Sequence, residues 1–392
     1  MSMLATPSRV IRPGDTVIVV EGARSLTFTR ATPGATFNNK FGAFRHDDMI
    51  GQPYGSRLHS LHSQKVKDGK NKTKRKKRGR GGDTTLGFVT LLRPTPELWT
   101  LSLNHRTQIL YFADIAAVVQ RLELRRGDVV LESGTGSASL THALARAVAG
   151  TGRVFSFEFN SHRVQAARVD LARSGFGTQH VLTQGEETPA STEETAQTAQ
   201  EAGELSGEDG VAIVTQRDVI GTGFPAILRP GRNGVVASIG DESDEDITAT
   251  VDAVFLDLPA PWCAIPSARR RLVPGGRLCS FSPCLEQVQR TCDSLRALGF
   301  WDIQIMETLT RGFQVSHPKM DAPQLDLSPQ QDETCIPKQL ELVDASSVLP
   351  SVTRAFPDMR GHTGYLVFAR ASLRPLAELE AHEKAENARS ES

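Results

Sequence analysis

The sequence predicts an α/β protein: a doubly wound, Rossmann-like sheet of seven strands, preceded by a small amino-terminal β domain. Three observations carry that expectation. From Leu86 onward, short apolar runs alternate with helical patterns of 3.6-residue period, as in a mostly parallel sheet covered on both faces. One of those runs passes straight into a glycine loop and then a helix, in VVLESGTGSASL at 129–140. Before residue 60 the apolar period is two instead, which suits a half-buried antiparallel sheet.

The β domain is expected over 1–60. TVIVV at 16–20 follows the turn pair Gly14-Asp15, Gly22 reverses the chain, and Leu26, Phe28 and Arg30 alternate. A basic insertion, 61–85, comes next. Its run KVKDGKNKTKRKKRGR at 65–80 holds one acid, Asp68, and no apolar period, so disorder is expected there. Such a run serves as a solvated loop, a nuclear import signal or a phosphate-binding arm, and the sequence does not separate these.

The α/β domain is expected over 86–372. LGFVTLL reads as its opening strand, and PTPELW as a Pro-broken connection. A helix over 107–122 turns Ile109, Leu110, Ile115, Val118, Val119 and Leu122 inward. A strand at 128–131, a helix at 139–148 and a strand at 154–159 follow, then a helix from cap Asn160 to the stop at Gly175. Strands at 211–215, 251–256 and 276–281 lead to a helix with Pro283 in its first turn and Gly299 at its end. Strands at 303–306 and 365–368 close the pattern. Polar insertions at about 177–210, 232–250 and 317–358 interrupt it, the first two acidic and the third expected to be loop. Residues 373–392 form a charged tail.

Composition narrows the function. Among 392 residues, 45 Lys+Arg balance 45 Asp+Glu, which excludes a uniformly basic nucleic-acid binder and leaves any polyanion to local patches. No apolar run approaches the ~18 residues of a membrane span, and the amino terminus lacks the apolar core of a secretory signal. Cys263, Cys279, Cys284, Cys292 and Cys335 include no C-x-x-C pair, so they read as reduced thiols, several of them core-facing, and no metal site is expected.

The loop ESGTGS distinguishes among ligands. Gly134 and Gly136 allow a sharp turn and a close ligand approach, but Ser139 stands where a dinucleotide fingerprint has its third glycine. Glu132, two residues earlier at the strand's carboxyl end, opposes a pyrophosphate. A carboxylate about 5 Å from such an anion would cost roughly 3 kcal/mol at an effective dielectric near 20. S-adenosylmethionine carries an ammonium and a sulfonium, so the acid and the glycines together favour it. Glu158 ends the next strand at the spacing expected of a ribose-binding acid. Asp218 ends the strand after the insertion, placed either to receive an adenine amino group or to start a turn.

Six ordered blocks, VTLLRPTPELWTLSLNHRTQILY, ESGTGSAS, FEFNSHR, VFLDLPAPW, GRLCSFSPCLEQVQRTC and GHTGYLVFA, strongly resemble the catalytic subunit of the eukaryotic tRNA (adenine-N1)-methyltransferase. The resemblance implies the seven-stranded fold of class I methyltransferases. It implies methyl transfer from S-adenosyl-L-methionine to N1 of adenosine 58 in the T-loop of tRNA, by a nuclear heterotetramer built with a related non-catalytic subunit. Carried onto matching positions, it implies that Leu110, Ser137, Ala138, Ser139, Glu158, Arg163, Asp218, Val219 and Asp257 line the cofactor and catalytic pocket. Ala138 departs from the glycine usual in such loops, and Arg217 before Asp218 is a second departure.

Chemistry supports Asp257 as the catalytic residue. Adenine N1 attacks through its lone pair, and positive charge grows on the ring as it is alkylated. A carboxylate accepting from the exocyclic amine stabilises that charge and holds the base. Asp257 ends a strand at the ligand edge, with Pro259 and Pro261 stiffening the turn behind it. The target base must be flipped out of the tRNA. His105, Arg106, Gln108 and Tyr111, just before and within the roofing helix, together with Pro259, Ser280 and Ser282, are the expected contacts to it. A protein carboxyl methyltransferase is disfavoured because Asp257 would repel an anionic substrate. The non-catalytic subunit is disfavoured by the intact acids and glycines, and a nicotinamide-dependent oxidoreductase by Glu132 and Ser139.

Overall fold

Alternating apolar residues build the amino-terminal sheet. A computed structural model of the chain describes residues 9–21, 25–61, 87–103, 109–177, 210–228, 238–239, 250–316, 352–357 and 364–374. Among these lie β1 (Thr16–Glu21), β2 (Ser25–Arg30), the hairpin β3 (Thr36–Asn39) and β4 (Gly42–Arg45), the one-turn α1 (His46–Met49), β5 (Arg57–His59) and β6 (Phe88–Leu92). They give an antiparallel sheet of order β2-β1-β6-β5, with Val17, Val19, Phe44, Leu58, Val89 and Leu91 in its core. β6 was expected to open the α/β domain. Its alternating burial fits a sheet with one covered face, so it completes the first sheet instead.

PTPELW is not a broken connection but the start of a helix, α2 (Pro96–Ser102). Thr95 caps it by accepting from the Leu98 amide at 3.3 Å, and Pro96 stands in the first turn, where no amide partner is needed. The next helix, α3 (Phe112–Arg121), begins later than the expected 107. The alternation then runs β7 (Val129–Ser133), α4 (Ser139–Val148), β8 (Arg153–Glu158), α5 (Ser161–Ser174), β9 (Ala212–Gln216) and α6 (Val219–Thr222). It continues through β10 (Ile227–Leu228), β11 (Ser238–Ile239), β12 (Val251–Asp257), α7 (Pro261–Arg271), β13 (Leu272–Ser282), α8 (Leu285–Ala297) and β14 (Trp301–Met306). Last come β15 (Phe313–Ser316), β16 (Val352–Ala355) and β17 (Tyr365–Arg370). Pro261, expected in a turn, is the first residue of α7.

The seven-stranded sheet has the order β14-β17-β13-β12-β7-β8-β9. Pairing is parallel from β13 through β9, while β17 runs antiparallel to both β13 and β14. From β7 the chain winds outward to β9, then returns to β12 on the other side of β7. That reversal opens a crevice at the carboxyl ends of β7 and β12, where open α/β sheets bind ligands. One sheet face packs Val130, Val154, Val214 and Phe255 against Val118, Leu144 and Leu171; the other packs Leu131, Phe155 and Leu256 against Ala264, Val288 and Leu295. Both faces are covered, which accounts for the near-continuous apolar strands.

The amino-terminal sheet and the seven-stranded sheet form one compact unit, and Thr308–Thr363 form a second. Within the second, β15 and β16 pair antiparallel, Phe313 opposite Ala355, and the Phe356 amide donates to Gly312 at 3.0 Å. The segment 317–358 was expected to be loop, and its residues Val352–Ala355 are a strand. The basic run at 65–80, Cys335, and most of the acidic insertions and the tail lie outside the described residues, although β11 falls within the insertion at 232–250. Among the described residues no helix is long and apolar enough to cross a membrane.

Candidate active site

Strand alternation collects the acids. Glu132 shares a sheet face with Val130, Glu158 with Val154, and Asp257 with Phe255, so three carboxylates reach the carboxyl ends of adjacent strands on one side. The loop beside them is held open in the left-handed region, with φ of 96° at Gly134, 53° at Gly136 and 57° at Ala138. A Cβ on Gly134 would stand 2.2 Å from the Asp257 carbonyl oxygen, so this glycine is required by the approach of β12 as well as by the turn.

Glu158 organises the loop. Its Oε2 accepts from the Gly136 amide at 2.9 Å and its Oε1 from the Asn160 amide at 3.1 Å, with Arg163 Nη1 3.5 Å away. Arg163 itself is about half exposed. Asp257 is partly buried, and burial, followed by the nearby Glu158, pushes its pKa up to about 6.

Glu132 differs from the expectation of a side chain facing ligand. It is fully buried, and Thr141 on α4 donates to its Oε2 at 2.7 Å. Burial raises its pKa to about 7; hydrogen bonds from Ser156 and Thr141 oppose that rise, and Asp257 and Glu158 add to it. When it ionises, its charge acts on the crevice through the protein, from a buried position. Ser156 is tied in turn to Thr135 of the loop, oxygen to oxygen at 2.5 Å. Thr135, Thr141 and Ser156 were missed in the sequence. The available signal was a polar residue at 141 on a helix face otherwise filled by Leu140, Ala143 and Leu144.

Other expected contacts divide. Ser139 is buried with its hydroxyl 2.8 Å from Thr100 and 3.4 Å from the Leu110 carbonyl, so it joins α2 to the loop rather than presenting its oxygen to a ligand. Ser137 and Ala138 of the loop and Leu110 beside it are likewise buried, and Val219 is buried at the start of α6. Asp218 caps α6: its Oδ1 accepts from the Ile220 and Gly221 amides, each at 3.1 Å. Arg217 Nε donates to the Gly223 carbonyl at 2.6 Å, which fixes the same turn.

On the substrate side, Ser280 and Ser282 contradict their expected role. Both are 0% exposed, on the sheet face opposite Asp257 and beneath α8, out of reach of RNA. The Pro259 carbonyl accepts from Gln287 Nε2 at 2.9 Å, which ties the turn after Asp257 to α8. Tyr111 is partly exposed at the start of α3, whereas His105, Arg106 and Gln108 lie outside the described residues. Cys279 and Cys292 are buried, and burial pushes both thiols up; Cys263 and Cys284 are exposed.

A cavity of about 210 Å3 lies elsewhere, lined by Arg121, Glu123, Arg277, Asp302 and Arg370. Arg277 precedes Phe281 by four residues, about 13 Å back along the strand from the level of Asp257. Glu123 already pairs with both Arg277 and Arg370, so those charges are engaged within the protein.

Known proteins resemble most of the chain. The family described as tRNA methyltransferase complex GCD14 subunit matches residues 87–189 and 187–371. The tRNA (adenine(58)-N(1))-methyltransferase catalytic subunit of Dictyostelium discoideum is 32% identical over 378 residues, covering 94% of this chain and 98% of that protein. The like-named subunit of Cryptococcus neoformans is 38% identical over 316 residues, 79% of this chain, but this chain spans only 55% of its length. Among solved structures, a SAM-dependent O-methyltransferase from Thermotoga maritima matches with a TM-score of 0.59 at 20% identity, covering 93% of this chain and 96% of the other. The tRNA (m1A58) methyltransferase TrmI from Aquifex aeolicus matches with a TM-score of 0.53 at 18% identity, covering 92% and 98%. These two likenesses bear on the fold alone, which is that of S-adenosylmethionine-dependent methyltransferases.

Proposed function

The chain belongs to the tRNA methyltransferase complex GCD14 subunit family, and we propose that it is the catalytic subunit that methylates N1 of adenosine 58 in the T-loop of tRNA, using S-adenosylmethionine. The observation that carries this reading is the convergence of Gly134–Ala138, Glu158 and Asp257 at the sheet's reversal point. The relatives' names supply the substrate atom.

S-adenosylmethionine supplies an electrophilic methyl group on a cationic sulfonium. The residues suit such a ligand. Burial raises Glu132 and Asp257, the neighbouring acids add to the rise, and a cation offsets that cost while a diphosphate would add to it. Glu158 has lone pairs beyond those given to Gly136 and Asn160, and these accept the ribose hydroxyls. Asp218 spends Oδ1 on its cap, and Oδ2 is the acceptor for the adenine amino group.

Asp257 acts on the substrate base. Its carboxylate accepts from the exocyclic amine of the flipped adenosine, orients N1, and opposes the positive charge that develops on the ring. Positioning supplies much of the rate, because no covalent enzyme intermediate is required. The Asp257 backbone, packed on Gly134, sets the height of that carboxylate relative to the cofactor loop. Tyr111, His105, Arg106 and Gln108 are the proposed tRNA contacts. A related non-catalytic subunit completing a heterotetramer, and a nuclear site of action, belong to the same proposal.

The test is transfer of labelled methyl from S-adenosylmethionine to tRNA, with and without the related subunit. Label is expected in tRNA carrying adenosine 58 and not in tRNA with guanosine there. Equal labelling of both would overturn the site assignment.

A further inference from the structure

His142 on α4 takes no part in the chemistry above, yet it is 0% exposed and bonded to the cofactor loop. Its Nδ1 lies 2.6 Å from the Ala138 carbonyl oxygen, and its Nε2 lies 3.0 Å from Ser174 Oγ at the end of α5. A carbonyl oxygen only accepts, so Nδ1 carries the proton and donates it to Ala138. In the neutral ring Nε2 is then an acceptor, and it shares the single Ser174 hydroxyl proton with the Asp170 carbonyl, which lies 2.9 Å from the same oxygen. Trp99 and Phe176 pack on the ring, with centroids at 5.5 and 5.6 Å, and lock its orientation.

Ala138 is where the loop needs holding. It is the residue before α4, it has no side-chain cap, and at φ 57° it sits in the left-handed region that alanine avoids. The His142 amide also points at the same carbonyl, at 3.2 Å, but that bond belongs to any helix starting here. The imidazole is the added constraint.

We infer that His142 is a positioning residue for the cofactor: its ring N–H fixes the Ala138 carbonyl and so keeps the Gly134–Ala138 loop in the left-handed turn that receives S-adenosylmethionine. This rests on the reading of that loop as the cofactor site. An unheld alanine reverts to commoner conformations, and apparent affinity falls by the fraction of loops still competent.

The experiment is calorimetric titration of S-adenosylmethionine into the full chain, as wild type, His142→Phe, His142→Asn, Ala138→Gly and the pair His142→Phe with Ala138→Gly. Phenylalanine keeps the ring packing and loses the donor, and the left-handed penalty on alanine sets an expected loss of roughly tenfold in affinity. Asparagine retains an N–H for the carbonyl one turn back and is expected to bind within about threefold of wild type. Glycine at 138 needs no holding, so the double variant is expected to recover most of what His142→Phe loses. If His142→Phe does not fold, the comparison passes to His142→Asn against His142→Ala, with the same tenfold expectation. Wild-type affinity in the variant lacking the donor, or a loss that Ala138→Gly fails to recover, overturns the assignment alone. A wild-type chain that binds no S-adenosylmethionine overturns both this assignment and the proposed function.

Discussion

A buried acid without a cation beside it weakens a fold, and Glu132 is such an acid. Its folded pKa of about 7 exceeds the ordinary 4.5, so the folded state holds a proton that the unfolded chain releases. Its contribution therefore falls as pH rises from about 4.5 to 7, by about 3 kcal/mol in all. Glu132→Gln keeps an acceptor for Thr141 and removes the charge. The variant is expected to melt higher than wild type at pH 8, to match it at pH 4, and to bind S-adenosylmethionine more weakly. A lower melting temperature at pH 8 would refute this account of Glu132. Asp257 carries a parallel prediction. With its pKa near 6, kcat/KM should rise through that pH as the carboxylate forms, and Asp257→Asn should flatten the rise. Asp257→Ala is expected to bind cofactor normally and to lose roughly 10²–10³-fold in methylation rate, by analogy with the removal of one charge-stabilising group. Full activity in that variant would remove Asp257 from the mechanism.

At the scale of elements, α2 offers the clearest test. Thr95→Ala deletes its cap and should cost about 1 kcal/mol in denaturant unfolding; no change would mean that packing alone holds the helix. This helix was illegible in the sequence because prolines at 94 and 96 read as breakers, although a proline in the first turn is tolerated. The α5 boundaries were legible, since Asn160 and Gly175 each act through local chemistry: the Asn160 side chain accepts from the Arg163 amide, and Gly175 takes φ 77°. Residues whose roles depend on distant partners were read less well. Glu132 needed Thr141 and Ser156 to explain its burial. Ser280 and Ser282 looked available for RNA until β17, paired along the far side of β13, placed that strand inside the sheet. The acids at 158 and 257 were legible because a strand's carboxyl end fixes both location and face.

For the whole molecule, β6 shows how the chain is organised. It lies beyond the basic insertion in sequence and within the amino-terminal sheet in space, with His59 of β5 paired to Phe88. The two ends of the insertion thus meet, and shortening it lowers the closure cost. Deleting 65–80 should spare the fold and leave the melting temperature equal or slightly higher, and collapse of the fold would contradict that. If the run is a phosphate-binding arm, the deletion should also flatten the salt dependence of tRNA binding. The claim on which the rest depends concerns the crevice at the carboxyl ends of β7 and β12, where the sheet's winding reverses, and the sign of charge it accepts. Titration of the full chain with S-adenosylmethionine and with nicotinamide adenine dinucleotide tests it most directly. Saturable binding of the sulfonium compound and none of the dinucleotide is the predicted result; tight binding of the dinucleotide with no uptake of S-adenosylmethionine would contradict it.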